Sequence, residues 1–262
     1  MPYFVNVSAA NIYRDASFHS EIDTQAVLWE QVVTHEEKDG FVRIETEDGY
    51  PGWISKHQLI EVSRNPQLTM VTAPVLWILE TPQPYSPVIR DAVAGSYLEI
   101  IAETEDWFKV QLPDGITGWI PASAFTPMPP LSRDALIRTA RLFMGVPYVW
   151  AGKTGKGLDC SGFTQMVHKL YGIRLRRDAR MQFEDAAPVS KDPLDGQPGD
   201  LLFFAENGER ITHVGFALGR GKILHARGMV RVNSLNQSDA DFAPDLRRHF
   251  VEIRTFLGSL SS

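Results

Sequence analysis

Gly157-Leu158-Asp159-Cys160-Ser161-Gly162-Phe163-Thr164-Gln165-Met166-Val167 is the stretch on which the fold turns. Phe163, Met166, Val167, Leu170 and Tyr171 recur at the three-and-four spacing of one helical face, and Gly172 stands where a left-handed glycine ends a helix. A helix should therefore begin near Cys160. Upstream, Ser132 reads as an N-cap, and Leu136, Ile137, Ala140, Phe143 and Met144 keep the same spacing until Gly145 and Pro147, predicting a helix over 133–144. Downstream, strand-like runs follow at 200–204, 212–218, 222–227 and 250–256. Helices first and an antiparallel sheet afterwards indicate an α+β domain rather than a parallel βαβ one.

Towards the N-terminus the chain changes character. Thr126-Pro127-Met128-Pro129-Pro130 reads as a stiff linker, because proline fixes φ and removes donors that a helix or ladder needs. Before it the chain repeats itself. Gly40-Phe41-Val42-Arg43-Ile44 through Asp48-Gly49-Tyr50-Pro51-Gly52-Trp53-Ile54 returns, 66 residues on, as Asp106-Trp107-Phe108-Lys109-Val110 through Asp114-Gly115-Ile116-Thr117-Gly118-Trp119-Ile120. Short alternating runs of Val, Ile and aromatics between Asp-Gly turns are the pattern of small antiparallel barrels. The Gly-Trp-Ile phrase after a hairpin resembles the bacterial SH3 domain, in which the tryptophan closes the barrel. The expected order is two small SH3-like β-barrels at 1–63 and 64–126, a proline-rich linker at 127–130 and an α+β domain at 131–262.

Charge and composition narrow the partners. With 26 Lys+Arg against 32 Asp+Glu the net charge is −6, and no basic cluster offers phosphate contacts, which argues against nucleic acid. No apolar run approaches the ~18 residues that span a membrane, and Met1 to Val7 has neither the basic nor the apolar part of a secretory leader, so the expectation is a cytoplasmic protein or an exported one whose leader was trimmed. The single cysteine excludes an internal disulfide framework and a CxxC-type zinc site; no cofactor and no metal are expected. Arg174, Arg176, Arg177 and Arg180 crowd one short loop, either as a solvated turn or as a site for a carboxylate.

A lone cysteine is usually a buried small hydrophobe, and a strand histidine is usually structural. The placement of Cys160 changes that reading. At a helix N-terminus the unpaired N–H groups and the dipole favour thiolate and supply a donor for an oxyanion. His213, in Thr212-His213-Val214-Gly215-Phe216-Ala217-Leu218, is the candidate base. Strand alternation turns Val214, Phe216 and Leu218 to the core and puts His213, Gly215 and Ala217 on the other face, with room for a helix or substrate. If the following hairpin centres on Arg220, His225 opposes Gly215 and lies diagonally beside His213, able to orient the base ring.

Tyr148-Val149-Trp150, Asp159-Cys160-Ser161-Gly162-Phe163, Pro198-Gly199-Asp200-Leu201 and Thr212-His213-Val214-Gly215 together resemble the NlpC family of papain-like cell-wall peptidases, over about 131–257. The resemblance implies a papain-like peptidase domain with a Cys160, His213, His225 triad and with Tyr148 near the oxyanion. The subgroup with SH3 domains in front is similar to the whole chain, including Asp48-Gly49-Tyr50-Pro51-Gly52-Trp53 and Arg177-Asp178-Ala179. Its members cut γ-D-glutamyl bonds to a diamino acid, meso-diaminopimelate or lysine, in short murein peptides that start with a free L-alanine. By that resemblance Tyr50 and Asp159 would hold the ammonium and Ser161 would hydrogen-bond the D-glutamate. Ala179 stands where some members carry serine, which leaves open one hydrogen bond to the substrate carboxylate, and Ile116 stands in the second copy where the first has Tyr50, so the first barrel is expected to touch ligand and the second to be a spacer.

Three other readings fit the same residues: an exported endopeptidase anchored to the wall by its barrels, a non-catalytic wall-peptide-binding module, and a zinc site built from Cys160, His213 and His225. The sequence leaves the oligomeric state and the choice of diamino acid open.

Overall fold

The computed structural model describes residues 1–125, 128–206, 208 and 210–258. The expected end of the second barrel at 126, the first linker residue, Pro127, and the last four residues of the expected α+β domain lie outside the described residues. The chain forms two compact units, Met1–Met128 with Thr154–Lys156, and Pro129–Lys153 with Gly157–Ser262.

The first unit holds both repeats. Strands β1 (Tyr3–Val5), β2 (Ala9–Tyr13), β3 (Ile22–Val27), β4 (Gln31–Lys38), β5 (Phe41–Glu45), β6 (Pro51–Ser55) and β7 (Leu59–Glu61) make an antiparallel sheet in the order β3-β2-β6-β5-β4-β1-β7. Strands β8 (Leu68–Met70), β9 (Val75–Leu79), β10 (Val88–Val93), β11 (Tyr97–Glu103), β12 (Trp107–Gln111) and β13 (Thr117–Pro121) repeat it as β10-β9-β13-β12-β11-β8. In each, the tryptophan of the Gly-Trp-Ile phrase makes the closing pair, Trp53 with Tyr13 and Trp119 with Leu79. The glycine before it lets the strands approach: a Cβ at Gly52 would lie 2.4 Å from Ile12, and one at Gly118 would lie 2.5 Å from Ile78. The repeat in sequence is thus a repeat in packing. The two barrels also share a core, in which Phe4, Leu28, Trp29 and Val62 pack with Leu76, Ile78, Leu98, Val110 and Ile120.

The second unit has helices α1 (Arg133–Arg141), α2 (Cys160–Lys169), α3 (Ala179–Asp185) and α4 (Pro244–His249), and a two-stranded pair, β14 (Lys153–Thr154) with β15 (Gly157–Leu158). Its main sheet contains β16 (Ala187–Ser190), β17 (Leu201–Phe204), β18 (His213–Gly219), β19 (Lys222–Arg227), β20 (Met229–Ser234) and β21 (Phe250–Thr255), antiparallel in the order β16-β21-β17-β18-β19-β20. Ser132 caps α1, accepting from Ala135 N at 3.1 Å. The helix expected to reach 144 ends at Arg141 and continues as three-residue turns, Phe143 N to Ala140 O at 3.2 Å and Met144 N to Arg141 O at 3.1 Å. Arg133 at the head of α1 is buried against Asp200 at 2.8 Å, so Pro198-Gly199-Asp200 ties this helix to the start of β17.

Helix α2 lies on one face of the sheet. Phe163 meets the Phe216 ring edge-on at 5.3 Å, and His168 stacks on the same ring at 5.4 Å. The other face carries Leu202, Phe204, Ala217, Ile223 and Ile253 packed with Leu246 of α4. Both faces of β18 are therefore covered. The small residues of this face do leave room for a helix, since Ala217 packs in one cluster with Leu246 of α4, but the space above Gly215 is taken by His225, whose Cβ would lie 2.6 Å from a Cβ on residue 215.

Candidate active site

Asp159 forms the N-cap of α2, its Oδ1 accepting from Gly162 N at 2.6 Å, which places Cys160 as the first helical residue. The thiol points at β18: Cys160 Sγ is 3.9 Å from the carbonyl oxygen of Thr212 and within reach of the Val214 N–H, the two residues that flank His213. His213 opens β18. The β18–β19 register pairs Phe216 with Leu224 and Ala217 with Ile223, and Arg220 holds the turn between two glycines at φ +53°. That register sets His225 diagonally beside His213, and His213 Nε2 lies 2.7 Å from His225 Nδ1. The two nitrogens face one another across a hydrogen bond instead of converging on a common point, which does not suit the zinc reading. Among the described residues no group of three or more His, Cys, Asp or Glu is arranged to hold a metal ion.

The chain of polar contacts goes further than the sequence indicated. His225 Nε2 meets Asn233 Oδ1 at 3.1 Å, and Asn233 sits on β20, a strand absent from the expected set. Its signal was present in Val230-Arg231-Val232-Asn233, which alternates apolar and polar shortly after the left-handed Gly228.

Electrostatics at the thiol run against the expected ionisation. Cys160 is buried, and burial pushes its thiol up to about 12; the neighbouring Asp159 carboxylate acts in the same direction, while the Val214 and Ser161 N–H groups and Arg177 pull it down without prevailing. Burial holds His213 well below the ordinary histidine value, helped by His225 and Arg227. Desolvation thus favours a neutral thiol and a neutral imidazole in the resting pair.

Tyr148, Asp159 and Ser161, the other expected residues of the second unit, lie on or beside the start of α2. Tyr148 is half-buried, and its phenol is raised by burial first and then by Cys160 and Asp159, which keeps it a hydrogen-bond donor next to the thiol. Asp159 is not a bare carboxylate: Arg177, itself buried, grips it through Nη2 to Oδ2 at 2.5 Å and Nη1 to Oδ1 at 3.1 Å. Ser161 Oγ donates to Asp159 Oδ1 at 3.3 Å and accepts from Arg177 Nη1 at 3.0 Å. The arginine cluster thus divides: Arg176 pairs with Glu184 and Asp185 at the surface, Arg180 with Glu184, and Arg177 turns inward. Ala179 is the first residue of α3 and is buried. Tyr50 belongs to the first unit, in the Asp48-Gly49 turn before β6, where its N–H donates to Thr46 Oγ1 at 3.1 Å and its carbonyl accepts from Thr46 N at 3.1 Å.

Residues 145–244 match the NlpC/P60 family, residues 12–59 match the bacterial dipeptidyl-peptidase Sh3 domain, and residues 77–126 match the bacterial SH3 domain. A gamma-D-glutamyl-L-lysine dipeptidyl-peptidase of Bacillus cereus is 30% identical over 228 residues, covering 79% of this chain and 68% of its own. The enzyme of the same name from Bacillus subtilis is 32% identical over 222 residues, covering 78% and 72%. The crystal structure of an NlpC/P60 family protein from Bacillus cereus superposes with a TM-score of 0.83 at 25% identity, covering 98% of this chain and all of that one. With a cysteine at the head of a helix, two histidines on the adjoining hairpin and two SH3-like barrels ahead of them, the chain belongs to the NlpC/P60 family of peptidases.

Proposed function

We propose that the protein hydrolyses the γ-D-glutamyl–diamino acid bond of short peptidoglycan peptides that begin with a free L-alanine, through a thioester on Cys160. The supporting observation is the Cys160 thiol at the head of α2 beside the hydrogen-bonded His213–His225 pair. His213 takes the thiol proton as sulfur attacks the γ-carbonyl, then returns a proton to the departing amine; water, deprotonated by the same ring, releases L-Ala-D-Glu. Tyr148 and the N-terminal N–H groups of α2 donate to the oxyanion. Asp159, held by Arg177, takes the substrate ammonium through its remaining acceptor capacity, and Ser161 meets the D-glutamate. A free N-terminal alanine arises only after the wall amide at that nitrogen has been cut, so the reaction belongs to peptide recycling. The relatives named for a lysine bond favour lysine as the diamino acid.

The test is mass spectrometry of L-Ala-γ-D-Glu-L-Lys, its diaminopimelate counterpart and the N-acetylated form of each, incubated with the protein and with Cys160→Ala. Release of L-Ala-D-Glu from the free-amine peptides alone is expected, with the cysteine variant inert and KM raised in Tyr50→Phe. Equal cleavage of acetylated and free peptides would remove the ammonium subsite, unchanged kinetics in Tyr50→Phe would remove that tyrosine, and an intact set of peptides would remove the function.

A further inference from the structure

We propose that Asn233 is a positioning residue whose side-chain oxygen fixes the tautomer of His225 and, through it, leaves the lone pair of His213 Nδ1 facing the reaction. The orientation of the amide follows from Arg231, whose Nε lies 2.9 Å from Asn233 Oδ1. A guanidinium only donates, so the atom that it meets is the oxygen. On the other side Asn233 Nδ2 donates to the carbonyl of Asp241 at 3.5 Å.

That oxygen also lies 3.1 Å from His225 Nε2, and an amide oxygen only accepts, so Nε2 carries the hydrogen. Burial and the charges of Arg231 and Arg227 hold His225 neutral, with a pKa of about 4, despite the hydrogen bond that it donates to Asn233, which works the other way. Its Nδ1 is then bare and accepts, at 2.7 Å, a hydrogen from His213 Nε2. A neutral His213 protonated on Nε2 has an unprotonated Nδ1. This is the form able to take the Sγ proton, after which Nε2 still donates to His225. Without the Asn233 oxygen the mirror arrangement is equally available: His225 Nδ1–H donating to a bare His213 Nε2, with His213 Nδ1 already protonated and useless as a base.

The inference rests on His213 acting as the base for Cys160, and its test is read without any peptide, so loss of the tripeptide activity and loss of this assignment are separable. In full-length protein with 15N-labelled histidine, long-range proton–nitrogen spectra report which ring nitrogen is protonated, with His225→Gln assigning the signal. Nε2–H is expected on both His213 and His225, and Asn233→Ala is expected to abolish that preference. Iodoacetamide capture of Cys160 at pH 7 should slow at least tenfold in Asn233→Ala and recover in Asn233→Asp, which keeps the acceptor. The acid-side midpoint of the capture rate should move up in Asn233→Asp, because a carboxylate favours protonated His225; a merely structural asparagine would leave that midpoint where it is. Nδ1–H on His225 in the unaltered protein, or unchanged capture in Asn233→Ala, would overturn the proposal. Should Asn233→Ala fail to fold, the unaltered protein's tautomers and the Asn233→Asp midpoint still decide it.

Discussion

Cys160 and His213 are held neutral by the same cause, loss of water, and this sets how the site responds to acid. Burial penalises the thiolate and the imidazolium alike, so neither charge is favoured at rest, and in the proposed reaction both arise as sulfur attacks. In the proposed reaction the neutral imidazole is the competent form. Activity is therefore present above the His213 pKa and is lost as pH falls through it, and since that pKa lies well below 6.5, kcat/KM should still be on its plateau at about pH 6. A profile measured from pH 4 to 8 checks this; half-loss of activity at or above pH 6.5 would show that the ring is not desolvated in solution. The correction to the sequence reading lies here too. A cysteine at a helix N-terminus was legible, but whether the dipole or the burial prevails depends on packing from β18 that no local pattern records.

At the scale of elements, the site depends on the β18–β19 hairpin more than on α2. Its register was legible because Gly219-Arg220-Gly221 supplies three residues able to adopt positive φ between two apolar runs, and a two-residue side-chain period then fixes which histidine meets which. α2 was legible for a similar reason, a long apolar stripe with a cap at each end. The elements that escaped are short: α3 and α4 span seven and six residues, and β16 contains Pro188 on a sheet edge, so tertiary contacts rather than local preference hold them. With β20 unseen, Asn233 was unseen as well. Gly215 tests the hairpin directly. Adding a methyl 2.6 Å from the His225 Cβ and 2.9 Å from Ile223 forces the strands apart, and Gly215→Ala should cost roughly 1–3 kcal/mol in urea denaturation and lower kcat/KM more than tenfold by displacing His225. Full activity in that variant would mean that the position of His225 is not needed.

At the scale of the molecule, the repeat at 66 residues reads as two tandem domains, yet within the first unit the barrels are joined by a common interior. Trp29 is the residue through which that joining runs. It is fully buried, meets Phe4 edge-on at 5.2 Å, donates from Nε1 to the Gln111 carbonyl at 3.2 Å, and lies in the cluster that includes Leu98, Val110 and Ile120 of the second barrel. Polar contacts run beside it: Arg90 reaches both Asn6, at 2.9 Å, and Asp114, at 2.8 Å, and the Tyr97 hydroxyl donates to Glu47 at 3.0 Å. Barrels that share a core should lose protection together. Trp29→Ala removes a buried aromatic at a cost of about 3–5 kcal/mol, and hydrogen exchange followed by mass spectrometry should show faster exchange in strands 68–121 as well as 3–61, with the sheet of 187–255 unchanged. Loss of protection confined to 3–61 would mean that the second barrel stands alone, and that the shared cluster is contact without cooperativity.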